Sequence, residues 1–147
     1  MKMTNGEYGK YVSEHTPRSK TGRNMLRAFV SGGVICALGQ LLLAGYARLG
    51  LTQEDTATAV SVTLILLGAA LTALGVYDDL ARFAGAGTLV PITGFANSVV
   101  APALEFKTEG YITGTAAKMF VIAGPVLVFG SSASVLVGLI EWLLGLL

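Results

Sequence analysis

The sequence lacks most of the side chains on which enzyme mechanisms and metal sites depend, since it has one cysteine and one histidine. Cys36 lies in an apolar run without a second cysteine, which excludes a disulfide within the chain and indicates a small packing residue. His15 stands alone in a polar region, so the serines of the apolar runs lack a histidine to activate them, and no metal-ligand spacing is present. We predict that the chain is not an enzyme and has no cofactor or metal site.

Nucleotide-binding and proteolytic motifs are also incomplete. Gly85 and Gly87 begin a G-x-G, but Val90 stands where the third glycine would be and no strand precedes it. Asp78 and Asp79 are adjacent, whereas aspartate proteolysis in a membrane needs two carboxylates from separate elements. A dinucleotide fold and an intramembrane protease are therefore not supported.

Charge is scarce as well: 13% of the residues are charged, 53% are hydrophobic and the mean hydropathy is +0.68. This balance predicts an all-α, polytopic membrane protein. Residues 1–24 are expected to form a polar cytosolic arm on anionic lipid, and 25–147 the transmembrane domain. Nucleic acid is not an expected partner, because the excess of basic residues before the first apolar run indicates orientation. These basic residues are Lys2, Lys10, Arg18, Lys20, Arg23 and Arg27.

Three charge-free runs predict regular transmembrane helices at 28–47, 57–76 and 119–140. The loop after the first run carries Glu54 and Asp55, which places it opposite the basic N-terminus. Gln40 lies deep in the first run, so it should either hydrogen-bond another helix or line a pore.

A fourth uncharged segment, 83–104, contains too many glycines and prolines for a smooth helix. Irregular backbone at membrane depth survives only inside protein or along a wet cavity, so we expect this segment to be the functional centre. It either spans the membrane or re-enters it. The predicted path for a solute is lined by Gly85, Gly87, Pro91, Gly94, Asn97 and Gln40.

Asp78, Asp79 and Arg82 form the densest polar cluster beside that segment. They indicate either an interfacial cap with an Asp–Arg pair or a gating and ion-coordinating mouth. Near the C-terminus, Gly130, Ser134 and Gly138 make a small-residue stripe that predicts a helix contact, within the chain or with a partner.

A weak internal repeat relates two of the predicted spans at a constant offset of 91 residues. Arg27, Phe29, Val30, Gly33 and Gly39 match Lys118, Phe120, Val121, Gly124 and Gly130. The copies would run in opposite directions if 83–104 crosses the membrane, and in the same direction if it re-enters. Chance similarity between apolar, glycine-rich helices is the alternative.

Four stretches of the chain resemble the membrane components of the SpoVA system of spore-forming bacteria. They are AFVSGGVICALGQ (28–40), LGVYD (74–78), FAGAG (83–87) and VPITGFANSVV (90–100), and the resemblance covers almost everything after Asn24. The polar arm before Ala28, with TPR at 16–18, favours the AC type of component over the AE type.

The resemblance implies a subunit of the complex that moves dipicolinic acid, with calcium, across the forespore inner membrane and releases it at germination. It also implies an oligomer with an AE-like membrane partner and an AD-like soluble partner, and the mechanosensitive channel behaviour associated with the AC type. A structural hypothesis competes with this one: a scaffold subunit whose glycines permit tight packing while a partner forms the conduit.

Overall fold

A computed structural model describes residues 4–16 and 19–145, and these are helical with no strand among them. Lys2, Arg18 and most of the TPR motif at 16–18 lie outside the described residues. The first helix, α1 (Asn5–His15), begins with a capping box in which Thr4 and Glu7 satisfy each other's backbone amides. The amide and hydroxyl of Thr4 donate to the Glu7 carboxylate and hold its pKa below the usual range. No residue of α1 is buried.

Helices α2 (Thr21–Ala47) and α3 (Gln53–Ala73) form an antiparallel hairpin. Gly50 adopts a positive φ of 76° in the five-residue connection, and Thr52 caps α3 by accepting a hydrogen bond from the Asp55 amide at 3.2 Å. The Tyr46 hydroxyl lies 2.8 Å from the Thr63 hydroxyl and joins the two helices near the connection. Helix α2 begins seven residues before the predicted span.

The interrupted element is formed by residues 76–105. It lies where the sequence predicts it but begins earlier than residue 83. Gly75, with a φ of 73°, ends α3 and starts α4 (Val76–Ala84). Gly85 separates α4 from α5 (Ala86–Leu89), and Pro91 is the N-cap of α6 (Ile92–Glu105). The predicted second span of 57–76 is therefore too long at its end, because Gly75 takes a left-handed conformation that breaks the helix.

Helix α6 runs parallel to α3. At Gly68 a Cβ atom would lie 2.9 Å from the Thr93 carbonyl oxygen, and one turn further the Thr72 hydroxyl lies 2.8 Å from the Asn97 side-chain amide. The chain thus runs from the end of α3 through α4 and α5 to the level of Gly68, and α6 then leads back to the end of α3. With 14 residues, α6 is about 21 Å long, shorter than the hydrocarbon core of about 30 Å. Both ends of the element lie on the side where α3 ends, which is re-entrant geometry.

The chain leaves this element through a tight corner. A 3₁₀ turn (Lys107–Glu109) and a π-helical turn (Tyr111–Ala116) lead into α7 (Ala117–Leu143), which packs against α6. Gly114 is buried at this corner against the Phe106 carbonyl and Glu109. The short connection makes α7 antiparallel to α6, so α7 runs in the same direction as α2.

Three helical stretches of the described chain are long and apolar enough to cross a membrane: Thr21–Ala47, Gln53–Ala73 and Tyr111–Leu143. They confirm the predicted fold class of three regular membrane helices around an interrupted segment. Apart from Thr56 at the start of α3, the buried residues of the described chain belong to the interrupted element, to Gly68 of α3 and to Gly114 before α7. Every residue of 125–137 is exposed, so the second half of α7 stands apart from the rest of the chain.

Candidate functional site in the interrupted element

Each of the two glycines in the FAGAG stretch has its own structural role. Gly85 has a φ of 55°, which favours glycine, and no atom lies within 4 Å of where a Cβ would stand. Gly87 has no positive φ but is pressed against α2, where a Cβ would collide with the Ser31 hydroxyl and lie 2.9 Å from the Ala28 Cα. Gly85 therefore makes the bend, and Gly87 lets α5 touch α2.

Pro91 and Gly94 set the position of α6. Pro91 starts the helix and its carbonyl accepts from the Gly94 amide at 2.9 Å. A Cβ at Gly94 would collide with the carbonyl oxygens of Thr88 and Leu89, so this glycine is a point of close contact inside a regular helix rather than a bend. Of the predicted interruptions between 83 and 104, the structure breaks the helix at Gly85 and Pro91.

Tyr77 is the hub of the polar contacts in the element. It is 3% exposed, and its hydroxyl donates to the Thr88 carbonyl oxygen at 2.8 Å and lies 3.1 Å from the Thr93 hydroxyl. One side chain thus ties α4 to both α5 and α6. This role of Tyr77 was not identified from the sequence, although two threonines five positions apart in an uncharged segment indicate that a hydrogen-bonding partner is needed.

Asn97 and Gln40, the two predicted amides of the path, differ in their surroundings. Asn97 is half-buried, and its side-chain amide lies 2.8 Å from the Thr72 hydroxyl, whose single proton is also within reach of the Gly68 carbonyl oxygen at 2.7 Å. Gln40 is exposed and its side chain makes no hydrogen bond to another described residue. The interhelical bond that was one expectation for Gln40 is therefore not formed within residues 4–16 and 19–145.

The start of α6 presents free backbone donors beside α3. The amides of Ile92 and Thr93 donate no hydrogen bond to the described residues, as expected for the first turn of a helix. Thr93 is buried beside Gly68 of α3 and Ile92 is half-buried, so the positive end of the α6 dipole lies beside the middle of α3.

Asp78, Asp79 and Arg82 form an exposed triad on α4. The Arg82 guanidinium lies 2.7 Å from the Asp78 carboxylate and 3.6 Å from the Asp79 carboxylate. Both predicted pairings, i,i+4 and i,i+3, are present. Because the three side chains are exposed, the pairs contribute little to stability.

The small-residue stripe on α7 touches no other helix of the described chain. No atom lies within 4 Å of the Cβ positions of Gly130 and Gly138, and the Ser134 hydroxyl donates to the Gly130 carbonyl of its own helix at 2.9 Å. The sequence allows the stripe to contact a helix of the same chain or of a partner. The contact within the chain is not formed among the described residues.

The described residues hold no group of side chains fit to ligate a metal. Two cavities flank α4. A cavity of about 580 Å³ lies between α2, α3 and α4, with apolar walls. A smaller one of about 370 Å³ lies at the start of α2 and includes Arg82 and Asn24 in its lining.

Comparison with known proteins gives a consistent result. The family described as SpoVAC/SpoVAEB sporulation membrane protein matches residues 24–140. Stage V sporulation protein AC of Bacillus subtilis (strain 168) is 45% identical over 143 residues, which cover 95% of each chain. No solved structure matches. The chain belongs to the SpoVAC/SpoVAEB family of sporulation membrane proteins.

Proposed function

We propose that this integral membrane protein is a subunit of the SpoVA-type complex that moves dipicolinic acid, with calcium, into the forespore and releases it at germination. Its membrane is the forespore inner membrane, with the N-terminus in the cytosol. The family membership supports the sporulation role, and the resemblance of the FAGAG and PITGFANS stretches supports the solute.

The observation that carries the proposal is the position of the start of α6. Free amides at Ile92 and Thr93 and the positive end of a 14-residue helix lie beside the middle of α3, in a segment without a charged side chain. A dianion can be stabilised there by backbone dipoles without being trapped by a fixed cation. The side-chain amide of Asn97, at the next turn, adds a polar group on the same helix.

The interrupted element is also suited to opening. Two short helices, α4 and α5, are joined at Gly85, and the Tyr77 hydroxyl of α4 bonds one residue of α5 and one of α6. A change in the tilt of α2 or α3 under membrane tension would move these helices, because α2 touches the element at Gly87 and Gly68 of α3 touches it at Thr93. Tension gating through these contacts is part of the proposal.

The assembly that we propose contains an AE-like membrane partner and an AD-like soluble partner. The stripe of Gly130, Ser134 and Gly138 is available for the membrane partner because it contacts no other helix among the described residues. The triad at Asp78, Asp79 and Arg82 is exposed on α4 at the side where α2 begins, and we assign it to the mouth.

One observation favours a second function, that of a scaffold without its own pore. Gly87 and Gly94 face neighbouring backbone rather than open space, as glycines that permit tight packing do. For the same reason Gly94→Leu is a poor test of conduction, since its side chain would collide with α5.

The test therefore uses Asn97→Ala, which shortens a half-buried side chain, with Ser98→Ala as the matched control. Ser98 is the neighbouring residue, and its hydroxyl donates to Phe95 of its own helix at 2.8 Å. Dipicolinic acid in spores, and its release from liposomes that contain the purified complex under osmotic stress, are measured at equal protein levels. Transport predicts a loss with Asn97→Ala alone. Normal flux with both variants would favour the scaffold.

A further inference from the structure

The groove between α2, α3 and α4 has the surface of a hydrocarbon-binding site. Its volume of about 580 Å³ is within the range of about 300–1,000 Å³ that ligand pockets show. Its walls are aliphatic and aromatic, and several of the lining side chains are exposed on the outside of the bundle. They include Val30, Val34, Leu38, Leu67, Leu80 and Phe83.

The polar side chains in the wall of the groove are already hydrogen-bonded within the protein. The Ser31 hydroxyl donates to the Arg27 carbonyl oxygen at 2.7 Å, and the Tyr77 hydroxyl bonds Thr88 and Thr93. A charged solute would lose its hydration in this groove without gaining hydrogen bonds, which is costly. The groove is therefore suited to an alkyl chain and not to an aromatic dianion.

The mouth of the groove is polar and basic. The cavity of about 370 Å³ shares Phe83 and Ala84 with the groove and is lined on its other side by Ser19, Asn24 and Arg82. An apolar space and a polar space thus meet at one aromatic ring. Of the charged residues on α4 and the start of α2, four are basic and two acidic, a balance of 4 − 2 = +2: Lys20, Arg23, Arg27, Arg82, Asp78 and Asp79.

Arg27 is the cation at that junction. Its guanidinium carbon lies 4.6 Å from the centroid of the Phe83 ring, and the residue is half-buried. In the described part of the chain no carboxylate lies within 4.0 Å of it, whereas Arg82 is held by Asp78 and Asp79. A half-buried guanidinium with no carboxylate beside it is suited to an external anion.

We propose that the groove binds one anionic phospholipid, with an acyl chain between α2 and α3 and the phosphate group at Arg27. The apolar walls, the polar cavity that continues from them and the net positive charge of the mouth match the two ends of such a molecule. The site goes beyond the proposed transport of dipicolinic acid, because it lies on the outer face of the bundle.

The experiment measures lipid retention by the full chain in mild detergent. The delipidated protein receives an equimolar mixture of phosphatidylglycerol and phosphatidylcholine, and native mass spectrometry counts the lipids that remain bound. The wild type is expected to retain a single phosphatidylglycerol. Val34→Trp fills the groove and should lower this retention about tenfold. Val135→Trp is the matched control, since Val34 is 63% and Val135 61% exposed and Val135 lies on the free half of α7.

Arg27→Gln tests the head group separately. It should lower the preference for phosphatidylglycerol over phosphatidylcholine about fivefold while an acyl chain still binds. Val30→Trp, also in the groove, replaces Val34→Trp if that variant elutes as an aggregate. Equal retention by Val34→Trp and Val135→Trp would show ordinary annular lipid and overturn the proposal. The proposal would also be overturned if the complex, purified from its native membrane, held a protein helix in the groove in place of lipid.

Discussion

The guanidinium carbon of Arg27 lies 4.6 Å from the centroid of the Phe83 ring, so a cation of α2 covers the last turn of α4. A second pair has the same chemistry: the Lys118 ammonium lies 3.9 Å from the centroid of the Phe106 ring, at the end of α6. Arg27 and Lys118 are the basic residues that the offset of 91 relates. Two parallel helices therefore contact the interrupted element through equivalent positions, one at the last turn of α4 and one after α6, although the repeat itself stays a prediction.

The first prediction is that the Arg27–Phe83 contact stabilises the element. Arg27→Gln and Phe83→Leu should each lower the free energy of unfolding, with a coupling of about 0.5–1 kcal/mol between them in a double-mutant cycle. Thermal unfolding in detergent measures it. Arg48→Gln combined with Phe83→Leu is the control, because Arg48 lies in the connection at the far end of α2. A coupling of zero for Arg27 and Phe83 would contradict the prediction.

The second prediction concerns the Tyr77 hydroxyl. Tyr77→Phe keeps the ring but removes the donor to Thr88, and should cost about 1–3 kcal/mol because buried polar atoms lose their partner. The measurement is the unfolding midpoint in detergent. Tyr111→Phe, at a tyrosine that is 80% exposed, should change it little. If both variants unfold at the same midpoint, the Tyr77 hydroxyl does not tie α4 to α5 and α6.

The sequence predicted the three membrane helices and the interruption because both depend on composition. A run without charge indicates burial in lipid, and glycine with proline indicates a break. Composition did not show the purpose of each glycine. Gly85 bends the chain with a positive φ, whereas Gly94 sits in a regular helix against the carbonyls of α5. The two glycines cannot be told apart in a sequence, because each shows only that a side chain is absent.

The contacts of the candidate site were not predictable for a related reason. A helix has a fixed periodicity, so a face can be assigned within one helix, but a break of unknown angle resets that phase. Tyr77 and Thr93 lie on opposite sides of two breaks, and no spacing could bring them together. The contact of Asn97 with α3 likewise depends on the direction of α6, and the packing of α6 against α3 determines that direction.

The third prediction is that the interrupted element re-enters. In a Cys36→Ala background, Lys107→Cys should react with a membrane-impermeant maleimide from the same side as Ser19→Cys, because α6 runs parallel to α3. Gln53→Cys, at the start of α3, should react from the opposite side. Sealed vesicles of known orientation provide the measurement. Labelling of Lys107→Cys together with Gln53→Cys would show that the segment crosses the membrane.

The last prediction is that the stripe on α7 is an assembly face. Ser134 is exposed, and its hydroxyl bonds only the Gly130 carbonyl of its own helix, so Ser134→Leu adds a branched side chain without a clash in the isolated chain. Its unfolding free energy should stay within about 0.5 kcal/mol of the wild type. Close helix contact in lipid requires small residues, so the added side chain should still lower the yield of the complex with its membrane partner.

The matched control is Ser132→Leu, the same substitution two residues away and therefore about 200° around the helix. It should leave the yield of the complex unchanged, because it lies on the opposite face of α7. Co-purification with an AE-like membrane component, at equal levels of both proteins, gives the comparison. If both substitutions reduce assembly equally, bulk anywhere on α7 is responsible and the stripe has no special role. If neither reduces it, α7 contacts lipid along this face and the partner binds elsewhere.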